Sequence, residues 1–171
     1  MNPNRRTLLL GSAGLALGAL GAIAHAGPRQ TQADANVARF AASPFRQLSE
    51  ADWRARLAPA AFATLRHEAT ERPGSSALEQ EHRRGAYVCA GCALPLFQSD
   101  AKYESGSGWP SFWRSMPGSL GTKQDFVIGY PRTEYHCARC LGHQGHIFND
   151  GPPPTGLRYC NNGVALQFVP A

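Results

Sequence analysis

Gly85-Ala86-Tyr87-Val88-Cys89-Ala90-Gly91-Cys92 is a short strand candidate that runs directly into a Cys-x-x-Cys turn. A second such turn, Cys137-Ala138-Arg139-Cys140, follows the strand candidate Thr133-Glu134-Tyr135-His136-Cys137. Two thiolates spaced by two residues can reach one ion from a tight turn, and two such turns complete a closed tetrahedral site of the kind zinc takes. Gly91 and the glycine just after the second pair, Gly142, are expected to supply the positive backbone angles of these turns. The pairs are separated by 44 residues, so one ion would staple two distant segments together. Thiolate ligation also suits an iron–sulfur centre, and an exported chain could instead form two structural disulfides. Zinc is the reading adopted. With all four positions taken by sulfur its role is structural, and no βαβ unit accompanies either pair to suggest thioredoxin-like exchange.

Outward from the two turns, the chain reads as short strands preceded by small helices. Ser49 can cap a helix, with Asp52 completing a capping box. Trp53 and Leu57 then share one face. Pro59 opens the next helix, where Phe62 and Leu65 face the core. Pro73-Gly74 closes the helical part. The 102–113 segment is loop-like and rich in Gly and Ser, Phe126-Val127-Ile128-Gly129-Tyr130 is a strand candidate ended by Pro131, and 164–169 is a last strand. The fold expected is mainly β: compact antiparallel sheets, twisted and open-barrel-like, with short N-terminal helices and a structural zinc site.

The N-terminus has the parts of an export signal. Asn4-Arg5-Arg6-Thr7-Leu8-Leu9-Leu10 leads into an uncharged run and then Ala24-His25-Ala26, a small-x-small exit. Adjacent arginines before a moderately apolar run resemble the twin-arginine type. Residues 1–26 are therefore read as a signal peptide cut after Ala26, 27–42 as a linker with the composition of a disordered segment, and 43–171 as the working domain. An uncleaved anchor is the alternative, since the apolar run of 17 residues is at the short edge of a membrane span. The location expected is periplasmic or otherwise exported, with no membrane contact after cleavage. Twin-arginine substrates are generally exported folded, which would let the metal be loaded before the chain meets an oxidising space. Loss of Arg5 and Arg6 lowers the formal charge from +5 to +3. The remaining basic residues are scattered, which argues against a nucleic-acid partner.

If metal takes four of the five cysteines, Cys160 is the single free thiol. Free cysteines are often inert core residues, but its neighbours argue otherwise. In a strand, Arg158 and Asn162 share its face, and a nearby guanidinium favours the thiolate. His143 and His146 offer proton donors or acceptors, or else a turn beside the metal or ligands of another one. A different class of reading is an exported zinc-stapled binding module presenting Trp109, Phe112 and Trp113, for which a reactive Cys160 would serve no purpose.

The sequence resembles the methionine-R-sulfoxide reductases of the B type. The resemblance is carried by Glu71-Arg72-Pro73, Tyr87-Val88-Cys89-Ala90-Gly91-Cys92, Gly108-Trp109-Pro110-Ser111-Phe112, Arg132-Thr133-Glu134, His143, Gly145-His146-Ile147-Phe148, Asp150-Gly151-Pro152 and Gly156-Leu157-Arg158-Tyr159-Cys160. It runs from about Leu48 to Phe168. It implies that the Cys160 thiolate attacks the sulfoxide sulfur of free or protein-bound methionine sulfoxide and ends as a sulfenic acid. A protonated histidine, His143 or His146, helps the oxygen leave, because a sulfoxide oxygen is a poor leaving group unless protonated. Asn162 hydrogen-bonds the oxygen or a water, Arg158 stabilises the thiolate, and Trp109, Phe112 and Asp150 form the substrate site. Many members carry a second cysteine where this chain has Ser107. A hydroxyl cannot resolve a sulfenic acid, so the expectation is a one-cysteine cycle served by a thioredoxin-like protein or a low-molecular-weight thiol. Gln144 and Asn161 also depart from the family, which usually has Leu and an aliphatic residue there, and make the pocket region more polar.

Overall fold

In a computed structural model of the protein, residues 28–171 are described, and the signal segment expected over 1–26 lies outside the described residues. Three short helices come first: α1 (Pro28–Ala38), α2 (Glu50–Arg56) and α3 (Pro59–His67). Nine strands follow: β1 (Gly85–Cys89), β2 (Pro95–Gln98), β3 (Lys102–Tyr103), β4 (Ser111–Phe112), β5 (Leu120–Asp125), β6 (Arg132–Cys137), β7 (His143–Phe148), β8 (Arg158–Asn161) and β9 (Leu166–Pro170). They divide into a three-stranded sheet, β2-β1-β9, and a six-stranded sheet, β3-β4-β8-β7-β6-β5, with antiparallel pairing throughout. The chain is mainly β and antiparallel, as expected.

The helices form where local chemistry asks for them. Ser49 Oγ accepts from the Asp52 N–H, and the Asp52 carboxylate accepts from the Ser49 N–H at 2.9 Å, closing the capping box that starts α2. Pro59 sits in the first turn of α3, where its missing N–H is no loss. Trp53, Phe62 and Leu65 are buried as the spacing predicts. The sheets meet over an aromatic core, with Phe97 stacked on Phe112 at 4.1 Å and Tyr87 edge-on to Phe112.

Two sequence expectations are corrected. The 27–42 linker contains α1, which lies on β5: Asn36 donates to the Leu120 carbonyl, Gln30 to that of Thr122, and Ala33 is buried. Its apolar stripe is too thin to stand out, and the docking is carried by amides. The strand expected at 126–130 is a loop, and the strand is the preceding, more polar Leu120–Asp125. As an edge strand with one neighbour, β5 has no need of a hydrophobic run. The loop is set by an Asp125 carboxylate that accepts from the Val127 N–H and by Gly129 at φ +86°.

The register of the large sheet matters most for function. Ser111 pairs with Cys160, Cys160 with His146, His146 with Glu134, and Glu134 with Lys123. Directly opposed residues in antiparallel strands share a face. One row of side chains therefore crosses five strands, with Cys160 and His146 side by side in it. The next row, Phe112 with Tyr159, faces the other way, into the core.

Candidate active site and metal centre

The four cysteines of the two turns converge. Their Sγ atoms all lie within 4.8 Å of one another, and all four residues are buried and unbridged. Cys89 Sγ is 3.6 Å from Cys140 Sγ, and Cys92 Sγ is 3.5 Å from Cys137 Sγ. Tetrahedral bonds of about 2.3 Å would set such sulfurs roughly 3.8 Å apart, so the donor set fits a zinc ion, and no open position would remain for chemistry. The turns are near copies: the Ala93 N–H returns to the Cys89 carbonyl, and the Leu141 N–H to that of Cys137. The left-handed residues are Ala93 and Leu141, not the glycines expected there. Gly91 and Gly142 are needed instead for clearance: a Cβ on Gly142 would lie 2.8 Å from the Leu65 side chain, and one on Gly91 3.3 Å from Trp53. The cysteine cluster is thus packed directly beneath α2 and α3.

Cys160 lies elsewhere. Half-buried on β8, it opens into a shallow cleft lined by Trp109, His146, Phe148, Arg132, Thr70 and Asn162. Burial pushes its thiol up, and Arg158 and the Ser107 hydroxyl oppose that. Ser107 Oγ lies 3.9 Å from Cys160 Sγ and belongs to a chain of hydroxyls, with Ser105 Oγ 2.8 Å from Ser107 Oγ and 2.7 Å from Ser111 Oγ. β7 crosses β8 closely at this point; a Cβ on Gly145 would sit 1.9 Å from the Cys160 carbonyl oxygen.

His146 Nε2 is 2.7 Å from Asp125 Oδ2, and Arg132 pairs with the same oxygen. Burial pushes the imidazole down and Asp125 only partly restores it. The Asp125 carboxyl is itself held below the carboxylate range, first by the Val127 N–H and then by His146 and Arg132. His143 stands behind His146, ring centroids 5.6 Å apart, and does not line the cleft. Its Nδ1 is 3.0 Å from Glu134 Oε1, and Lys123 Nζ lies 3.1 Å from the other oxygen. Burial pushes the Glu134 carboxyl up, but His143 and Lys123 outweigh it.

Asn162 lines the cleft but its amide is engaged: Oδ1 accepts from the Glu71 N–H at 3.0 Å and Nδ2 donates to the Gln144 carbonyl. Trp109 is fixed by donation from Nε1 to the Glu71 carbonyl. The Trp109 loop is pinned where the Gly74 N–H meets the Gly108 carbonyl at 2.6 Å. Arg158 makes a paired contact with Asp150, both distances 2.9 Å, and that exposed carboxylate stands outside the cleft. Phe112, expected at the substrate site, is fully buried against Phe97. Its register partner is Tyr159, one residue from Cys160, and that single step puts it on the opposite face.

Three residues escaped the sequence reading. Asp125 contacts His146 and is itself paired with Arg132, and Glu71 holds the turn after Cys160 by accepting from the N–H groups of Gly163 and Val164. Glu71 and Arg132 stand in stretches quoted for the resemblance, while Asp125 carries no spacing signal. Gln144 does not line the cleft, and Asn161, which does, has its side-chain amide engaged in a buried network. Gln144 donates to Cys89 Sγ at 3.4 Å, its Oε1 accepts from Asn161 Nδ2, and Asn161 Oδ1 accepts from the Tyr135 hydroxyl at 2.7 Å. A buried polar bridge thus joins the cysteine cluster to the strand that carries Cys160.

Known proteins with this sequence pattern are numerous. A SelR domain matches residues 57–170. A peptide methionine sulfoxide reductase MsrB of Bradyrhizobium diazoefficiens is 53% identical over 71% of this chain and 88% of its own length. Proteins of the same name from Agrobacterium fabrum and Leptospira interrogans are 47% and 50% identical, over 75% and 70% of this chain and 96% and 92% of their own lengths. The match begins at Leu57 and takes in both cysteine turns, the His143–His146 strand and Cys160, so the chain belongs to the SelR-domain family.

Proposed function

We propose that the chain is a peptide-methionine (R)-S-oxide reductase that works through Cys160 with an external thiol as reductant. The observation that carries this reading is the side-by-side register of Cys160 and His146 in a cleft walled by Trp109 and Phe148, apart from the cysteine cluster. The membership of the family and the names of its relatives support the substrate.

The Cys160 thiolate attacks the sulfoxide sulfur while His146 gives its proton to the oxygen. The attack forms an S–S bond, and the S–O bond breaks as the protonated oxygen leaves as hydroxide. Hydroxide then adds to the Cys160 sulfur, breaking the S–S bond so that methionine leaves as the thioether and Cys160 is left as a sulfenic acid. A first external thiol displaces that oxygen as water and forms a mixed disulfide; a second releases the symmetrical disulfide and restores the Cys160 thiol. Ser107, with Oγ 3.9 Å from Cys160 Sγ, is a hydroxyl that cannot resolve a sulfenic acid, and the other four thiols are in the cysteine cluster. Arg158 favours the attacking thiolate, and Asp125 with Arg132 orients the His146 ring. His143, behind His146 and against Glu134, is suited to holding that ring in place. Zinc on Cys89, Cys92, Cys137 and Cys140 would fix the two turns. Reduction takes place after export by the twin-arginine-type signal, with an exported thioredoxin-like protein or a small thiol as the reductant.

The test is turnover of racemic methionine sulfoxide with dithiothreitol, each epimer followed separately, on the mature protein and on Cys160→Ser. Loss of the R epimer alone, abolished by the substitution, is expected. A sulfenic acid on Cys160 should be trapped by dimedone after one turnover without reductant. An intramolecular disulfide to Cys160 after that turnover would overturn the one-cysteine cycle.

A further inference from the structure

The loop joining β5 to β6 exposes Phe126, Val127, Ile128 and Tyr130 together, at 64%, 84%, 49% and 57%. Among the described residues the other large apolar side chains so exposed are Leu141 and Val169, each standing alone in the sequence. Scattered exposed apolar residues need no explanation, but a contiguous group marks a contact surface. The loop is held in this form: the Gly129 N–H returns to the Phe126 carbonyl at 3.0 Å, and Gly129 at φ +86° admits little else.

Its position identifies the occupant. The loop leaves the sheet at Asp125 and returns at Arg132, a directly opposed pair. Asp125 is the partner of His146, and Arg132 lines the cleft into which Cys160 opens. One foot of the apolar tip, Arg132, therefore lines the cleft, and the other, Asp125, is bonded to His146, which lines it. A methionine sulfoxide seated against Cys160 as part of a polypeptide would carry its neighbours outward at about 3.3 Å per residue, so the flanking side chains reach such a tip within a few positions. A free methionine sulfoxide has no atoms that extend so far. Phe148 and Trp109 inside the cleft continue the same apolar character inward.

We propose that residues 126–130 form a docking platform for the apolar side chains that flank an oxidised methionine in a polypeptide substrate. The platform rests on the reductase reading above, since it gives the same cleft a preference for polypeptide over free amino acid. It selects sequence context: methionine sulfoxide beside Leu, Phe or Val is taken ahead of the same residue beside Gly or Ser.

The variant Phe126→Ser/Val127→Ser/Ile128→Ser removes the platform and keeps the backbone N–H of Val127 for Asp125. Mature native and variant proteins are compared with dithiothreitol on three substrates of R configuration: N-acetyl-methionine sulfoxide amide, a peptide with Leu and Phe flanking the oxidised residue, and one with Gly and Ser in their place. The native protein should prefer the apolar peptide. The variant should lose about tenfold in kcat/KM on that peptide, mostly through KM, and change less than about twofold on the other two. Equal loss on all three, or no loss on the apolar peptide, overturns the platform. Activity of the native protein on the small amide reports the reductase reading separately. If the native protein sediments as a dimer that the variant breaks without changing peptide preference, the patch belongs to a second copy of the chain and the proposal fails. It fails equally if the variant alters KM for a thioredoxin-like reductant and leaves the peptides untouched.

Discussion

For the proposed attack, Cys160 must lose its proton against its own burial. Desolvation disfavours the thiolate, and the groups that work the other way are, in order, the Arg158 charge and the Ser107 hydroxyl. His146 is biased in the opposite sense, because burial pushes the imidazole toward its neutral form. The form the proposed mechanism needs, thiolate beside imidazolium, is therefore the minor one, and the activity it predicts is confined between the two titrations. Arg158→Met should move the alkylation midpoint of Cys160 to higher pH, because it removes the stronger of the two opposing influences. At neutral pH it should lower kcat/KM on the order of tenfold. Ser107→Ala should move the midpoint in the same direction by less. Following iodoacetamide modification against pH checks both, and an unchanged midpoint in Arg158→Met would remove the arginine from the argument. Asp150 holds Arg158 through two contacts and has its own carboxyl lowered by them. In the proposed mechanism that paired contact aims the guanidinium, and the carboxylate itself stands outside the cleft.

At the scale of elements, β7 and β8 carry the His146–Cys160 pair and also the link to the cysteine cluster. The link runs from Cys89 through Gln144 and Asn161 to Tyr135, and every side chain in it is buried. Such a chain stabilises only when complete, since each half-satisfied group keeps its desolvation penalty. Tyr135→Phe leaves the Asn161 carbonyl oxygen without its partner and should cost about 1–3 kcal/mol in a denaturant titration. Asn161→Leu in the same protein should recover part of that loss, a coupling that a double-mutant cycle measures. Additive losses would mean that the two groups do not act as a pair. What the sequence disclosed about these elements follows the range of the signal. The capping box at Ser49, the Cys-x-x-Cys turns and the strand into Cys137 are local patterns, and they stand where the residues put them. Phe112 was misplaced because its side depends on a register with β8 that only the fold fixes. Asp125 was invisible because its partner His146 comes from another strand, and α1 because its contacts are amide hydrogen bonds and not an apolar stripe.

Taken as a whole, the molecule is two sheets and a helical layer joined at the cysteine cluster. Cys89 and Cys92 belong to the turn after β1, in the small sheet, and Cys137 and Cys140 to the turn after β6, in the large one. Trp53 and Leu65 from α2 and α3 close over Gly91 and Gly142 in the same turns. Arg66 donates to the Cys140 carbonyl, and Arg46 to those of Ala138 and Arg139, so the helical layer is tied to the second turn by charge as well as packing. An ion held by all four thiolates would cross-link the two sheets at the point where the helices also meet them. Its loss is therefore expected to be global, while the cleft, which shares no ligand with it, should fail only through loss of the fold. Cys137→Ser, or removal of the metal by a strong chelator, should abolish stoichiometric zinc and lower the melting temperature by roughly 10 °C or more. The residual activity should track the fraction folded at each temperature. Elemental analysis, calorimetry and the rate of R-sulfoxide loss on the same samples make the comparison. Full activity and an unchanged melting temperature without zinc would mean that packing beneath α2 and α3 holds the sheets together unaided. Inactivity in a fully folded, metal-free protein would instead show that the ion acts on Cys160 at a distance, for which the buried link through Gln144 and Asn161 is the path to test.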